Sequence, residues 1–550
     1  MNDSTRLARA AVTELLGCGI RHVVLAPGSR SAPLAYALYD AEQAGRLRLH
    51  VRLDERDAGF LALGIARGLR ARGENGLAAV VTTSGTAVAN LHPAVLEASY
   101  SRLPMLVLSA DRPAELRGTG SNQTMRQQGA LFGAELRATA ELPAPEPGDL
   151  ADAELRWRES LRRLIQEAVA GSGPVQANAA FRDPLVPEDA TPWGPGRADA
   201  EPLPAPRDGW ESEPDASASP GSLAGLGPRP VLVAGETGGA GPGEGALRRA
   251  AELAADRGWP VLAEPSSGLR SHPHAIPRYR EVLAAAAGPA PEITGVLTLG
   301  RPTLSRPVAR LLARSGLPQI VISPEPEWFG AGVPGATLLR PAELPAQPEA
   351  PHAEPSWLRR WREAGNARPL GQDAAAPLDR AAAAALLAEP EGLLLAGSSS
   401  VIRDLDAAMT PAHRARVHAS RGLAGIDGLI STAAGLALGS GEPVRAVIGD
   451  ISALHDLGGL VLPSLEARPA LEVVVVNDDG GSIFAGLEHG RPQFADRFPR
   501  LFGTPHGLGF GPIAAALGWE HLRADTAGQL RAALAGGVVP GRLLEIVPAG

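Results

Sequence analysis

Two apolar runs near the C-terminal end of the chain each stop at oxygen-bearing residues. Val444–Ile448 ends at Gly449-Asp450, and Leu471–Val476 ends at Asn477-Asp478-Asp479-Gly480-Gly481. Each run reads as a buried strand of a parallel sheet. In an open parallel sheet, ligands sit beyond the carboxyl ends of the strands. Carboxylates from two such ends, with carbonyls freed by glycine, suit a hard divalent cation that takes oxygen ligands. Such a cation bridges phosphates, so the two turns predict a metal-anchored diphosphate. Taken singly, Asp450 and Asp478 would be ordinary turn residues.

The elements that position these turns belong to a large chain. Its 550 residues exceed a single core, and the length suggests roughly three to four domains. The net charge of −8 argues against a general nucleic-acid binder. No run of eighteen apolar residues offers a membrane span. Arg6, Arg9 and Glu14 interrupt the N-terminus as a signal peptide would not be interrupted. Cys18 is the only cysteine, which leaves no internal disulfide or cysteine zinc site. The expectation is a soluble cytoplasmic protein. The chain has no lysine, so all 52 basic residues are arginine. That removes Schiff-base lysine chemistry and the lysine of a P-loop. Anions must be met by arginine, whose planar fork matches carboxylates.

Strand and helix patterns alternate along three blocks, the signature of parallel α/β sheets. The first block spans 1–185, with strands at His22–Ala26, Leu77–Thr83 and Met105–Ser109. Helices fall near Ser31–Ala44, Asp57–Leu69, Gly85–Ser101 and Ala151–Val169. Residues 186–228, rich in Pro, Gly, Ser and Ala, read as a linker. The second block spans 229–345, with strands at Pro230–Gly235, Pro260–Ala263, Ile293–Leu299 and Gln319–Ile322, a helix near Glu244–Arg257 and a further element at Val308–Arg314. A further linker covers 346–373. The third block spans 374–550, with strands at Gly392–Ala396, Arg416–Ala419, Val444–Ile448, Leu471–Val476 and Leu543–Val547. The glycines of Gly235–Gly245 lack nucleotide-loop spacing and read as a flexible loop. His272, His274, His413 and His418 lack a third ligand at metal spacing and read as solvated.

Other segments sharpen the picture. Ala26-Pro27-Gly28-Ser29-Arg30-Ser31-Ala32-Pro33-Leu34 and Asp54-Glu55-Arg56 stand in the first block. Thr83-Ser84-Gly85-Thr86-Ala87-Val88-Ala89-Asn90-Leu91, Ser109-Ala110-Asp111-Arg112-Pro113 and Asn122-Gln123 follow. The third block adds Arg421-Gly422-Leu423-Ala424-Gly425-Ile426-Asp427-Gly428, Gly449 through Leu457, and Asp479-Gly480-Gly481-Ser482-Ile483-Phe484. Gly-Asp followed one β-α-β unit later by an Asn-rich turn resembles the thiamine-diphosphate fingerprint. The whole set resembles the 2-succinyl-5-enolpyruvyl-6-hydroxy-3-cyclohexene-1-carboxylate synthase family of menaquinone biosynthesis. The match spans the first and third blocks in order; the middle block matches in position and type only.

The resemblance implies three parallel-sheet domains: pyrimidine-binding, central and diphosphate-binding. It implies thiamine diphosphate with magnesium or manganese, held by Asp450, Asp478 and the Gly480 carbonyl. Glu55 is the implied catalytic carboxylate on the aminopyrimidine ring, although a helix-opening Glu alone would be a dipole partner. Thr83, Ile426, Gly449, Ser452 and Ile483 would complete the cofactor contacts, with Ile426 bending the cofactor. Ser29, Arg30, Arg112, Asn122, Gln123, Ser399, Arg403 and Arg421 would surround two carboxylate-rich substrates, 2-oxoglutarate and isochorismate. Phe484 and Leu487, with Ile483, would form an apolar wall, unless they pack as core. Arg301 and Arg306 are weaker candidates. The enzyme would be a transferase, a homodimer or homotetramer with its site between chains. Thr83–Leu91 also reads as a helix start capped by Ser84. The family pattern has asparagine where this chain has Asp478, which leaves Asn477 as a rival ligand. Rival readings are an acetolactate synthase-like enzyme or decarboxylase, and a non-catalytic ligand-binding relative.

Overall fold

Among the described residues, seventeen short runs rich in Val, Leu and Ala form the strands of three sheets, and all their strand pairs are parallel. Interior strands such as Pro230–Ala234 and Leu471–Val476 are buried along their whole length. Helices cover both faces of such sheets, which is why these runs are continuously apolar rather than alternating. The computed structural model describes all residues except 75, 190, 197–202, 208, 211, 213, 215–222, 239–244, 331, 367–377 and 550.

The first sheet holds β1 (His22–Leu25), β2 (Arg48–Val51), β3 (Ala78–Thr82), β4 (Met105–Asp111), β5 (Ala138–Leu142) and β6 (Pro174–Ala180), in the order β2-β1-β3-β4-β6-β5. The second holds β7 (Pro230–Ala234), β8 (Val261–Ala263), β9 (Gly295–Leu299), β10 (Gln319–Ile322) and β11 (Thr337–Leu339), in the order β11-β10-β9-β7-β8. The third holds β12 (Gly392–Ala396), β13 (Ala415–Ala419), β14 (Val444–Gly449), β15 (Leu471–Val476), β16 (Glu520–Ala524) and β17 (Arg542–Ile546), in the order β13-β12-β14-β15-β17-β16.

The chain divides into two compact units. One comprises Met1–Arg207, Ser420–Glu442 and His455–Ala470; the other comprises Asp208–Ala419, Pro443–Leu454 and Leu471–Gly550. Within the first, helix Glu55–Ala71 packs against helix Leu429–Ser440 at backbone contact. A Cβ on Gly64 would lie 2.1 Å from Thr432 O, and one on Gly435 would lie 2.2 Å from Leu61 O. Only glycine permits that approach.

Several expectations change. The linker assigned to 186–228 also builds core: Trp210, Leu223 and Leu226 are buried against the second sheet. The linker assigned to 346–373 carries helix Trp357–Asn366, whose Trp357 and Trp361 are buried in that sheet's core. Tryptophan supplies more apolar area than any other side chain, so these residues outweigh the surrounding Pro and Gly. The assigned start of the third block, Ala374, lies outside the described residues, as do 239–244 of the glycine loop. The helix expected over Gly85–Ser101 is two helices, Thr86–Ala89 and His92–Tyr100, with Pro93 in the first turn of the second. His272 and His274 are half-buried, with ring nitrogens bonded to backbone carbonyls, and burial lowers the pKa of both. His418 is buried on β13, and His413 is half-buried beside Thr410 N. These histidines serve packing rather than solvent.

Candidate active site

In the first unit, β1 ends at Leu25 and the chain turns through Pro27-Gly28-Ser29-Arg30 into helix Ala32–Gln43. Thr83, just past β3, packs on this turn. A Cβ on Gly28 would lie 2.3 Å from Thr83 Cβ, so the glycine is required. Arg30 donates to the Phe181 carbonyl at 3.0 Å and lies 3.5 Å from Asp183 Oδ2. Arg112 follows β4 and donates to Ser84 Oγ at 2.8 Å and to the Gln123 carbonyl at 2.9 Å. Burial lowers the Arg112 pKa, and the charge of Arg30 lowers it further. Two guanidiniums thus feel one another, and an anion between them would relieve that repulsion. Ser29, Asn122 and Gln123 are exposed beside them.

Ser84 is not the helix cap that the sequence suggested. The N-cap position is Gly85, without a side-chain bond, and the Ser84 hydroxyl donates to Gln123 O at 2.8 Å. The hydroxyl therefore anchors the Asn122-Gln123 loop.

A buried amide network behind this corner was not anticipated. Gln128 accepts from Gly85 N at 2.8 Å and donates to Ala110 O and to Asn178 Oδ1. Asn178 in turn donates to Asp111 Oδ2 at 2.9 Å. The available signal was Gln176 and Asn178 at alternate positions of the buried strand β6. Buried amides need partners, and here they find them on β4, which ends just before Arg112.

Glu55 opens helix Glu55–Ala71 and is half-buried, with Asp54 as its N-cap accepting from Arg56 N at 2.8 Å. Glu97 fixes the segment that starts at Arg421. Its two oxygens accept from Gly422 N and Leu423 N, each at 2.8 Å. Arg421 is buried and Ile426 is half-buried.

In the second unit, β14 and β15 are neighbours, and their ends bring Asp450 and Gly480 into contact. Asp450 is buried; its Oδ2 accepts from Gly480 N at 2.8 Å and lies 3.0 Å from His506 Nε2. Gly480 has φ +133°, and a Cβ there would meet Gly503 O at 2.0 Å. Asp478 Oδ2 accepts from Ser482 Oγ at 2.6 Å and pairs with Arg380, whose guanidinium also holds Asp404. Burial pushes the Asp478 carboxyl up; Ser482 and Arg380 oppose this, and the Asp450 charge adds to it. A cation there would reverse the upward push. The Gly480 carbonyl, expected to be open, accepts from Ser482 N at 3.0 Å and keeps a second lone pair.

Asn477 is differently committed. Its Nδ2 donates to Glu545 Oε1 at 2.7 Å and to Leu508 O at 2.9 Å. Its Oδ1 accepts from Asp479 N at 3.3 Å. Gly449 ends β14, and Ser452 is buried in the helix that follows. Arg403 donates to Ser399 O at 2.5 Å within its own helical turn. Ile483 and Leu487 are half-buried; Phe484 is 37% exposed beside the rings of His489 and Phe502, so it does not pack as core. Arg306 forms an exposed ion pair with Glu488 at 3.0 Å, and Arg301 bridges to Glu236 through its backbone. Among the described residues, no three His, Cys, Asp or Glu side chains gather as a metal cluster.

Curated relatives match the chain end to end. A 2-succinyl-5-enolpyruvyl-6-hydroxy-3-cyclohexene-1-carboxylate synthase from Kineococcus radiotolerans is 44% identical, over 100% of this chain and 96% of its own. Proteins of the same name from Paenarthrobacter aurescens and a Nocardioides species are also 44% identical. They cover 96% and 100% of this chain, and 91% and 95% of their own. The chain belongs to the 2-succinyl-5-enolpyruvyl-6-hydroxy-3-cyclohexene-1-carboxylate synthase family.

The model of the thiamine pyrophosphate enzyme N-terminal TPP binding domain matches residues 5–131, which contain Arg30, Glu55, Thr83 and Arg112. A solved structure of a candidate thiamin diphosphate-dependent enzyme from Mycobacterium smegmatis shares the fold. It has a TM-score of 0.67 at 17% identity, over 98% of both chains. The donor set fits such a cofactor. Two carboxylates at neighbouring strand ends, one pushed up by burial, with a backbone that only glycine can follow, suit a divalent cation on a diphosphate.

Proposed function

We propose that this synthase-family chain decarboxylates 2-oxoglutarate and joins the remaining succinyl unit to isochorismate. The product is 2-succinyl-5-enolpyruvyl-6-hydroxy-3-cyclohexene-1-carboxylate, an intermediate of menaquinone biosynthesis. The observation that carries this is 44% identity to a synthase of that name along the whole chain. Thiamine diphosphate, when bound, supplies the reactive carbon and the electron sink for 2-oxoacid decarboxylation. Asp450, Asp478 and the Gly480 carbonyl hold magnesium or manganese on the diphosphate, and Gly449, Ser452 and Ile483 line it. Glu55 holds a proton at a ring nitrogen of the pyrimidine, beside Thr83. Ile426 would pack against the cofactor as an apolar support.

Arg30 and Arg112 receive a substrate carboxylate at their shared corner, with Ser29, Asn122 and Gln123 donating around it. Ser399, Arg403 and Arg421 are assigned to the substrates' remaining carboxylates; Phe484 and Leu487 shield the apolar part of the substrate. The working form is a cytoplasmic homodimer or homotetramer with the site shared between chains. The three-domain division into pyrimidine-binding, central and diphosphate-binding parts goes with this reading. No helix among the described residues is long and apolar enough to cross a membrane.

The test is product formation with thiamine diphosphate and magnesium. Product is expected from 2-oxoglutarate with isochorismate and not from pyruvate alone. Acetolactate formed from pyruvate alone would overturn the assignment.

A further inference from the structure

Asp57 follows Glu55 by two residues on the same helix, and its carboxyl is buried. It lies over the turn Asp456–Gly459. A Cβ on Gly458 would come within 2.1 Å of Asp57 Oδ2, and one on Gly459 within 3.0 Å of Asp456 Oδ2. Asp456 is fully buried. Its Oδ2 caps helix Leu429–Ser440, accepting from Ile430 N at 2.7 Å and Ser431 N at 3.1 Å. The two carboxyl groups are within hydrogen-bond reach of each other. Neither Asp57 Oδ1 nor Asp456 Oδ1 meets a donor among the described residues.

Two carboxylates in such contact cannot both ionise, because burial removes the water that would screen them. The surrounding charges do not compensate fully. Asp54 adds to the repulsion on Asp57, while Arg56 and Arg52 oppose it. Arg52 is shared with Glu466 at 3.7 Å, and Arg56 donates to the His455 carbonyl at 2.9 Å. Burial is the largest influence on both acids; it pushes Asp57 up to about 6 and Asp456 well above the carboxylate range.

Location gives the contact its consequence. From Leu61 onward, helix Glu55–Ala71 is locked to its neighbour by glycine contacts, and Phe60 lies against Gly428. The first turn, which carries Glu55, lies before those contacts. Asp57 is the side chain of that turn that meets the 456–459 segment. We propose that Asp57 and Asp456 share one proton, and that this carboxyl–carboxylate bridge fixes the first turn of the helix and so positions Glu55. The inference rests on the reading of Glu55 as the catalytic carboxylate.

The sign of the pH effect follows from the raised pKa values. The folded protein holds a proton that the unfolded chain releases near 3.8, so this contribution to stability is present below that pH and lost as pH rises through about 6. An amide in place of one acid supplies a permanent donor. The test compares full-length wild type with Asp57→Asn, Asp456→Asn, Asp57→Ala and Glu55→Gln. Thermal unfolding against pH and steady-state kinetics against pH are read for each.

The asparagine variants are expected to lose less thermal stability than wild type between about pH 4 and 7. Their alkaline limb of kcat should move up by about one pH unit or more, with KM within about twofold. Asp57→Ala should lose about tenfold or more in kcat across the pH range, rescued by Asp57→Asn. Asparagine variants with wild-type slopes in both measurements, or as impaired as alanine, overturn the bridge. Glu55→Gln with wild-type kcat overturns the Glu55 reading and with it the positioning role, while the unfolding slope still decides whether the proton is shared.

Discussion

The Gly480 amide donates to Asp450 Oδ2 at 2.8 Å, joining the turns that end β14 and β15. That bond sets the two turns relative to each other and leaves the Asp450 charge facing the turn. Asp450→Asn keeps an acceptor for the amide but removes the charge. It is therefore expected to unfold within a few degrees of wild type while losing metal dependence. Thiamine diphosphate affinity, measured by calorimetry with magnesium, should fall by at least roughly tenfold, about 1.4 kcal/mol. Wild-type affinity in Asp450→Asn would count against a metal at this carboxylate.

The Asn477 amide is occupied by Glu545 and Leu508, whereas the neighbouring Asp478 carboxylate is held by the Ser482 hydroxyl and the Arg380 guanidinium. Asn477→Ala takes one donor from the buried Glu545 carboxylate. The expected loss of stability is about 1–3 kcal/mol, with metal affinity kept. Asp478→Ala should do the reverse, weakening metal binding with little loss of stability. Denaturant unfolding and calorimetry on both variants separate the two residues. If Asn477→Ala alone loses the metal, the ligand is one position earlier.

His22 and His50 stack with ring centroids 5.3 Å apart, and their nitrogens approach to 3.1 Å. Burial pushes His22 down to about 4 and His50 down to about 3, helped by neighbouring arginines. The folded protein thus binds fewer protons than the unfolded chain below pH 6.5. Stability from the neutral pair is present above that pH and lost as pH falls toward 4 and 3. At about pH 5, each histidine accounts for on the order of 2 kcal/mol of this loss. His50→Gln removes one titration, so its melting temperature should fall less steeply than that of wild type between pH 6.5 and 4. Parallel curves would exclude the pair as the acid-sensitive element.

The sequence reading succeeded where one pattern implied one environment. β10, β12 and β15 are buried apolar runs, and their observed bounds are those expected. β2, β5, β11 and β16 went unnoticed, and all four are edge strands. Their burial is partial, so their residues alternate irregularly and resemble loops. β6 lies inside its sheet but carries Gln176 and Asn178, whose buried amides are satisfied by a network that cannot be seen locally. The strand-end turns of the candidate site were legible because two of them close apolar runs that became neighbouring strands; either one alone would have read as an ordinary turn. The Asp57–Asp456 contact was not, because 399 positions separate two residues each plausible as a helix or turn carboxylate.

Arg403 and Arg421 follow the neighbouring strands β12 and β13, one within the helix after its strand and one two residues past it. The structure holds each in place by different means. Arg403 turns NH1 to the Ser399 carbonyl, and Arg421 starts the segment clasped by Glu97. Without lysine in the chain, arginine must balance the substrates' carboxylates. Removing one arginine from a bidentate pair leaves a carboxylate desolvated without its partner. Arg403→Ala or Arg421→Ala is therefore expected to raise KM for 2-oxoglutarate or isochorismate by at least roughly tenfold, about 1.4 kcal/mol or more. Thiamine diphosphate affinity should stay within about twofold, since neither residue is assigned to the diphosphate. Steady-state kinetics with each substrate varied in turn reads the effect, and calorimetry of the cofactor provides the control. A variant with wild-type KM and kcat for both substrates would remove that arginine from the site. A loss of cofactor affinity equal to the change in KM would instead assign it to the cofactor.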